Sequence, residues 1–128
     1  VWAVLSQGER QRLLIGRSLM ANPQALILDE PCAGLDPAAR EHFLEFLQSL
    51  TEKRSGPAII LVTHHVEEIV HGITHVLALK NGDVGAFGPK TVTLTSALLS
   101  DIFNCRAKLM REGNRYQLRV GANRAGVM

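Results

Sequence analysis

The sequence predicts an α/β fold in which parallel strands alternate with helices. Two short predicted strands, residues 25–28 and residues 58–63, flank a segment from Pro37 to about Arg54 in which apolar residues recur every three or four positions. This alternation of strand and helix patterns is typical of a parallel sheet with flanking helices. Because residues 25–28 have no polar interruption, we expect this strand to be buried on both faces.

The polar residues that follow the first strand predict a ligand site at its end. Asp29 and Glu30 come directly after the apolar run, and Pro31 ends the strand. Gly34 permits a turn that returns Asp36 to the same edge. Open α/β sheets bind ligands at the carboxyl ends of their strands, and paired carboxylates suit a magnesium ion. On this stretch alone, a buried strand ending in solvated acids is an equal alternative.

Length and composition restrict the class of protein. The 128 residues, 46% of them hydrophobic, are enough for one small domain with a core. The longest apolar run, residues 58–62, is far shorter than the roughly 20 residues that a membrane helix needs. Cys32 and Cys105 have no paired spacing and are interpreted as reduced thiols. We therefore expect a cytoplasmic protein with no membrane span of its own.

The net charge of +2 is unevenly distributed. Residues 1–100 carry eight Lys and Arg against ten Asp and Glu, and residues 101–128 carry six against two. A basic end could favour nucleic acid, but only Tyr116 is interleaved with these charges, which is too little for a base-stacking surface. A solvated face is the favoured interpretation, and nucleic acid is not expected as a partner.

A helix is predicted from a capping box at Ser6 and Glu9 up to about Ala21. The Ser6 hydroxyl is placed to accept a hydrogen bond from the amide of Glu9, while the Glu9 carboxylate returns to the amide of Ser6. Gly8 leaves the free amides of the first turn open, so this N-terminus is also a candidate anion site. An ordinary surface helix is the alternative.

Turn residues and short periodic runs predict the remaining elements. Asn81-Gly82 favours a two-residue hairpin between strands over residues 74–79 and 84–87. The other predicted elements are a short helix over residues 66–71, a helix over residues 95–103, a hairpin of residues 108–110 with 116–120, and a frayed tail over residues 121–128.

Four segments, taken in order, resemble the motifs of one family. LSQGE at residues 5–9 resembles the signature motif of ABC-type nucleotide-binding domains, and LILDEP at residues 26–31 resembles their Walker B strand. AGLD at residues 33–36 is similar to the D-loop, and Thr63-His64 is similar to the switch-histidine loop. Each match is weak alone, but four in the family's order are specific. The resemblance covers residues 5 to about 90 and concerns the C-terminal portion of that domain, from the signature motif onward.

The resemblance implies that the chain binds ATP and Mg²⁺ at the acidic strand end. Asp29 would hold Mg²⁺ through its water shell, and Glu30 would polarise the water that attacks the γ-phosphorus. His64 would contact the γ-phosphate. Hydrolysis of this kind depends mainly on positioning and charge stabilisation, so several modest contacts around one phosphate matter more than one strong base.

The resemblance also implies a second nucleotide-binding domain as partner, in a head-to-tail dimer. Four signature residues would contact ATP held by the opposite subunit: Ser6, Gln7, Gly8 and Glu9. Asp36 would lie across the same interface. Gln7 and Glu9 replace the commoner Gly and Gln of the family's signature, and Glu9 still serves the helix cap.

The family pattern defines what these residues lack. No Gly-rich loop with Lys and Ser or Thr occurs in the sequence, so we expect a partial P-loop NTPase sheet without the phosphate-loop strand. In the family, that strand lies between the strand ending at His64 and the strand over residues 74–79. We therefore expect a piece of a longer protein, with residues 1–90 as the C-terminal part of the nucleotide-binding domain and residues 91–128 as a small α+β extension. The isolated piece is expected not to hydrolyse ATP.

Three functions follow for the parent protein. The favoured one is a cytoplasmic ATPase subunit at the inner face of the cell membrane, which energises solute transport with transmembrane permease subunits as partners. An ABC ATPase acting on ribosomes or nucleic acid, and a catalytically silent interaction module, are the alternatives. Asp29, Glu30 and His64 together argue against a silent module. A zinc site among the clustered histidines is not expected, because Gly72 interrupts their helical spacing.

Overall fold

The structure, a computed structural model, describes residues 2–121. The chain forms two compact units, Val1–Gly72 and Ile73–Met128. The first unit contains, in order, a 3₁₀ turn (Trp2–Val4), α1 (Gln7–Leu19), β1 (Ala25–Asp29), α2 (Pro37–Thr51), β2 (Ala58–Val62) and a second 3₁₀ turn (Val66–Glu68). The predicted α/β class is confirmed. The predicted short helix over residues 66–71 is wrong in extent, since only one 3₁₀ turn forms there.

The two strands of the first unit are parallel, as predicted. Their register pairs Ala25 with Ala58 at one end and Asp29 with Val62 at the other. Because side chains alternate along a strand, Leu26 and Leu28 are buried while Ile27 between them is 65% exposed. The expectation that β1 is buried on both faces is therefore wrong for the described chain. A two-stranded sheet has two faces, and the described residues pack against only one of them.

Both helices of the first unit begin at side-chain caps. The Ser6 Oγ accepts a hydrogen bond from the Glu9 amide at 3.1 Å, which is one of the two bonds of the predicted capping box. Asp36 Oδ1 accepts from the Ala39 amide at 2.8 Å, and Pro37 occupies the first helical position. α1 ends at Leu19 and α2 at Thr51, each slightly earlier than predicted.

The apolar stripe of α2 supplies most of the core of the first unit. Phe43, Leu44 and Leu47 are its most completely buried side chains. Each such side chain contributes about 1.5–3 kcal/mol of burial free energy. The other buried apolar residues of this unit are Ile15, Leu26, Leu28, Cys32, Leu50, Val66 and Val70.

The second unit contains two antiparallel hairpins and two short helices. Its elements are β3 (His75–Lys80), β4 (Asp83–Pro89), α3 (Lys90–Thr93), α4 (Ser96–Ile102), β5 (Arg106–Glu112) and β6 (Arg115–Gly121). The hairpin at Asn81-Gly82 is confirmed: both residues have positive φ, at 52° and 80°, and Lys80 pairs with Asp83. The second predicted hairpin is also confirmed, with longer strands. The helix α3 was not predicted.

Two serine side chains of α4 form hydrogen bonds with the backbone of β5. Ser96 Oγ accepts from the Leu109 amide at 2.8 Å, and Ser100 Oγ both accepts from the Ala107 amide and donates to its carbonyl at 3.0 Å.

At the start of α3, Lys90 is buried. This burial, and to a smaller extent the nearby charge of Arg111, lowers the pKa of Lys90.

Compactness and motif content place different boundaries on the chain. The compact units meet at Gly72 and Ile73, whereas the division at residue 90 follows the extent of the family motifs and stays a prediction. Strand pairs among residues 2–121 are β1 with β2, β3 with β4, and β5 with β6. The strand expected between β2 and β3 stays a prediction. The predicted frayed tail lies outside the described residues, apart from Gly121 at the end of β6.

Candidate functional site

The acidic pair after β1 is held by the backbone of the neighbouring strand. The Glu30 amide donates to the Val62 carbonyl at 2.9 Å, which extends the parallel ladder one residue beyond β1. Glu30 has φ of 48°, a left-handed conformation that costs a non-glycine residue about 1–2 kcal/mol. Its carbonyl accepts from the Ala33 amide at 3.1 Å, so both sides of the residue are fixed. Asp29 is exposed beside it.

Glu30 and His64 meet across the ends of the two strands. His64 Nε2 lies 3.2 Å from Glu30 Oε1, and the imidazole is 80% exposed. Oε1 is buried and has no hydrogen-bond partner among the described residues, and His64 Nε2 is its ion-pair neighbour. A buried carboxylate oxygen without a partner is costly, and at a sheet edge it suits a ligand such as a water molecule.

A buried carboxylate that sequence reasoning missed lies behind His64. Glu68 is 3% exposed, and the Thr63 hydroxyl donates a hydrogen bond to its Oε2. The buried Cys32 thiol lies near Glu68. Burial, followed by the charge of Glu68, raises the pKa of Cys32 to about 12. The only sequence signal was the acidic pair Glu67 and Glu68 between Val66 and Val70, two apolar positions that are buried.

The N-terminus of α1 carries the predicted signature residues. Ser6, Gln7 and Glu9 are exposed, and Gly8 is half-buried. Although Ser6 Oγ accepts from the Glu9 amide, its hydroxyl proton stays available to a further acceptor. A Cβ added to Gly8 would come no closer than 3.9 Å to its nearest neighbour, Leu35 Cδ2. The protein interior therefore does not itself require glycine at this position.

The structure brings some of the predicted site residues together. Asp29, Glu30 and His64 share the edge formed by β1 and β2, whereas Ser6 caps α1 and Gln7, Gly8 and Glu9 form its first turn. Asp36 starts α2, and its carboxylate caps that helix. Among residues 2–121 there is no group of three or more His, Cys, Asp and Glu side chains that could hold a metal ion. Mg²⁺ does not need one, since it is commonly held by one or two carboxylates together with substrate phosphates and waters.

The site residues fit a magnesium nucleotide. Asp29 offers an exposed carboxylate, and Glu30 offers the orphaned Oε1 in which a bound water would find an acceptor. A parallel strand pair that ends in these carboxylates has the arrangement of open α/β proteins, which bind their ligands at the carboxyl ends of the strands.

Comparison with known proteins identifies the family to which this chain is similar. The sequence model of the family described as "AAA domain, putative AbiEii toxin, Type IV TA system" matches residues 1–70. The ABC transporter ATP-binding protein YlmA of Bacillus subtilis is 47% identical over 103 residues, which are 80% of this chain and 39% of YlmA. The ABC transporter ATP-binding protein YmeB of Lactococcus lactis is 40% identical over 115 residues, which are 90% of this chain and 44% of YmeB.

A third relative and two solved structures are also similar to this chain. The molybdenum import ATP-binding protein ModC of Escherichia coli is 45% identical over 84 residues, 66% of this chain and 24% of ModC. An ATP-binding cassette of an ABC transporter superposes with a TM-score of 0.64 at 27% identity, over 77% of this chain and 40% of that one. An "inward-facing conformation of a putative metal-chelate type ABC transporter" has the same fold, with a TM-score of 0.77 at 24% identity, over 96% of this chain and 49% of that one.

The chain belongs to the family of ABC transporter ATP-binding proteins. It spans about two fifths of the length of YlmA and YmeB. Within residues 2–121, no helix combines the length and apolar character needed to cross a lipid bilayer.

Proposed function

We propose that this chain is the signature-bearing part of an ATPase subunit that drives solute transport across a membrane. The observation that carries the proposal is the meeting of Glu30 and His64 at 3.2 Å, beside the exposed Asp29, at the end of a parallel strand pair. The ABC transporter names of the relatives support transport over the ribosome or nucleic acid alternative. The intact acidic pair and histidine support catalysis over a silent module.

In this function the described side chains orient a water against the γ-phosphate of ATP. Glu30 Oε1 accepts a hydrogen bond from that water. This oxygen is available because it accepts no hydrogen bond from other described residues. The His64 imidazole, exposed and next to Oε1, contacts the γ-phosphate. Mg²⁺, when bound near Asp29, supplies positive charge that stabilises the phosphate oxygens. The carboxylate need not be a strong base, because positioning and charge stabilisation carry most of the rate.

The remaining machinery is assigned to partners and to residues outside this chain. The phosphate loop belongs to the longer protein, as the length of the relatives suggests. Ser6, Gln7, Gly8 and Glu9 reach the ATP of a second nucleotide-binding domain, and Asp36 lies at the same head-to-tail interface. Transmembrane permease subunits couple hydrolysis to transport, which places the subunit at the cytoplasmic face of the membrane.

The test is ATP hydrolysis by the full-length protein and by its Glu30→Gln variant. Gln keeps the shape of the side chain but removes the charge that orients the water, so we expect kcat to fall by roughly 10²-fold or more with ATP binding retained. Glu45→Gln, an exposed carboxylate on α2, is the matched control and should keep full activity. Equal turnover in Glu30→Gln and the unmodified protein would overturn the assignment.

Two further measurements separate the alternatives. The 128-residue chain alone should not hydrolyse ATP, since its sequence has no phosphate loop; turnover that Glu30→Gln abolishes would contradict this. Salt-dependent binding of the full-length protein to RNA or DNA would favour the non-transport alternative. Stimulation of its ATPase by membrane subunits would favour transport.

A further inference from the structure

His64 is not held in place by its own packing. Its side chain is 80% exposed, and Glu30 is its close charged neighbour. An exposed imidazole has several accessible rotamers, so the backbone that carries it must define where the ring can reach. The question is therefore what fixes the loop over residues 63–65.

The peptide groups of His65, directly after His64, are fixed on both sides. The His65 amide donates to Thr63 Oγ1 at 3.0 Å. The His65 carbonyl accepts from the Glu68 amide at 3.1 Å, at the start of the 3₁₀ turn. The first of these bonds requires that the Thr63 hydroxyl turn a lone pair toward the amide.

Glu68 determines which way the Thr63 hydroxyl points. A hydroxyl has one proton and two lone pairs, and here the proton is donated to Glu68 Oε2, which leaves a lone pair for the His65 amide. Bonds in such a chain polarise and strengthen one another. Because Glu68 is only 3% exposed, water does not compete for its carboxylate.

The same carboxylate also reaches the loop that carries Glu30. Cys32, two residues after Glu30, is buried, and its thiol lies near enough to Glu68 for that carboxylate to help raise the pKa of Cys32. Glu68 therefore connects the loop after β1 with the loop after β2, and each loop bears one member of the Glu30 and His64 pair.

We propose that Glu68 and Thr63 are positioning residues for His64: the buried Glu68 carboxylate orients the Thr63 hydroxyl, which fixes the His65 amide and so the loop that presents the imidazole. The inference rests on the proposed ATPase function. Neither residue touches the nucleotide in this role. Both act through His64.

The test uses the full-length protein with four variants. Thr63→Val keeps the shape of the side chain but removes the hydroxyl, and Thr63→Ser restores a hydroxyl. Glu68→Gln keeps the shape of the carboxylate, and Glu68→Ala removes it. The matched controls are Thr91→Val and Glu45→Gln, two exposed positions on α3 and α2. Steady-state kinetics and the stoichiometry of ATP binding are measured for each.

We expect a change in kcat with little change in KM. Misplacement of a positioning loop lowers kcat by roughly 10- to 100-fold in Thr63→Val and Glu68→Ala, while KM for MgATP stays within about twofold. Thr63→Ser should recover most of the activity, and Glu68→Gln should be intermediate. A fold defect would instead lower the stoichiometry of ATP binding.

A double substitution gives the decisive readout. If Thr63 acts through His64, adding Thr63→Val to His64→Ala should lower kcat no further, whereas independent effects would multiply. Multiplicative losses, or equal kcat in Thr63→Val and Thr63→Ser, would overturn the proposal. If Thr63→Val fails to fold, the same cycle with Glu68→Gln decides.

The proposal and the ATPase function can fail separately. If the unmodified protein has no ATPase activity, the proposed function falls. Amide hydrogen exchange of the peptide covering residues 63–66 then still tests the positioning role. Thr63→Val and Glu68→Ala should lose protection there, while Thr63→Ser and the two controls keep it. Unchanged protection in all variants would overturn the positioning role.

Discussion

At the scale of single residues, Glu30 shows how backbone strain and chemistry coincide. Two backbone hydrogen bonds offset the energetic cost of its positive φ of 48°: the Glu30 amide donates to the Val62 carbonyl, and the Glu30 carbonyl accepts from the Ala33 amide. The strained conformation carries the side chain to His64 at the strand end rather than along β1. The sequence placed an acid here, but its conformation depends on hydrogen bonds to a strand more than thirty residues away.

Gly8 offers a residue-scale prediction that separates folding from function. Gly8→Ala adds a methyl group whose nearest neighbour, Leu35 Cδ2, lies at 3.9 Å, so the fold should accept it. Alanine within a helix is more favourable than glycine by up to about 1 kcal/mol. The thermal midpoint of the full-length protein should hold or rise, while ATPase activity falls by about tenfold or more because the methyl blocks phosphate approach to the open amides.

The matched control for Gly8→Ala lies in the same helix. Gly16→Ala also meets no atom within 4 Å, and Gly16 is outside the predicted phosphate contact. It should gain similar stability and keep its activity. If both variants kept full ATPase activity, the signature role of Gly8 would be wrong.

At the scale of elements, the C-terminal end of α2 holds the turn that follows the second 3₁₀ turn. Gln48 Oε1 accepts from the Gly72 amide at 2.8 Å, and the Thr51 hydroxyl donates to the Gln48 carbonyl at 2.6 Å. A Cβ on Gly72 would lie 1.8 Å from Thr51 Oγ1. Close approach between two elements, rather than a special φ, therefore requires glycine at position 72.

This close approach predicts a strong coupling between Gly72 and Thr51. Gly72→Ala should lower the free energy of unfolding by about 1–3 kcal/mol, since the new methyl displaces Thr51. Thr51→Gly removes the obstructing side chain, so the double variant should be more stable than the sum of the single effects predicts. Denaturant unfolding of the full-length protein measures all three. Strict additivity would show that the two positions do not contact each other in solution.

At the scale of the whole molecule, the sheet of the first unit has one apolar face that the described residues leave open. Ile27 and Ile60 are paired in register on this face and are 65% and 49% exposed. Parallel sheets are normally covered on both faces. Since this chain spans about two fifths of the length of YlmA and YmeB, we propose that residues of the longer protein cover this face.

A polar substitution on that face tests the cover. Ile60→Thr in the full-length protein should lower the free energy of unfolding by about 1–3 kcal/mol, because it places a hydroxyl in an apolar contact. An exposed surface position would change by no more than about 0.5 kcal/mol. The 128-residue chain alone should bind an apolar dye more strongly than the full-length protein does. A negligible effect of Ile60→Thr, together with equal dye binding, would contradict the proposal.

The sequence by itself determined most of the order of elements, the helix cap at Ser6, the hairpin at Asn81-Gly82 and the family motifs, because each depends on residues close together in the chain. Tertiary structure decided what depends on distant partners: which face of β1 is covered, the left-handed conformation of Glu30, and the burial of Glu68 behind His64. The local sequence pattern predicts a strand or a helix cap. The burial of Glu68 near residues 32 and 63 depends on tertiary folding, because residue 32 is distant from residue 68 in the chain.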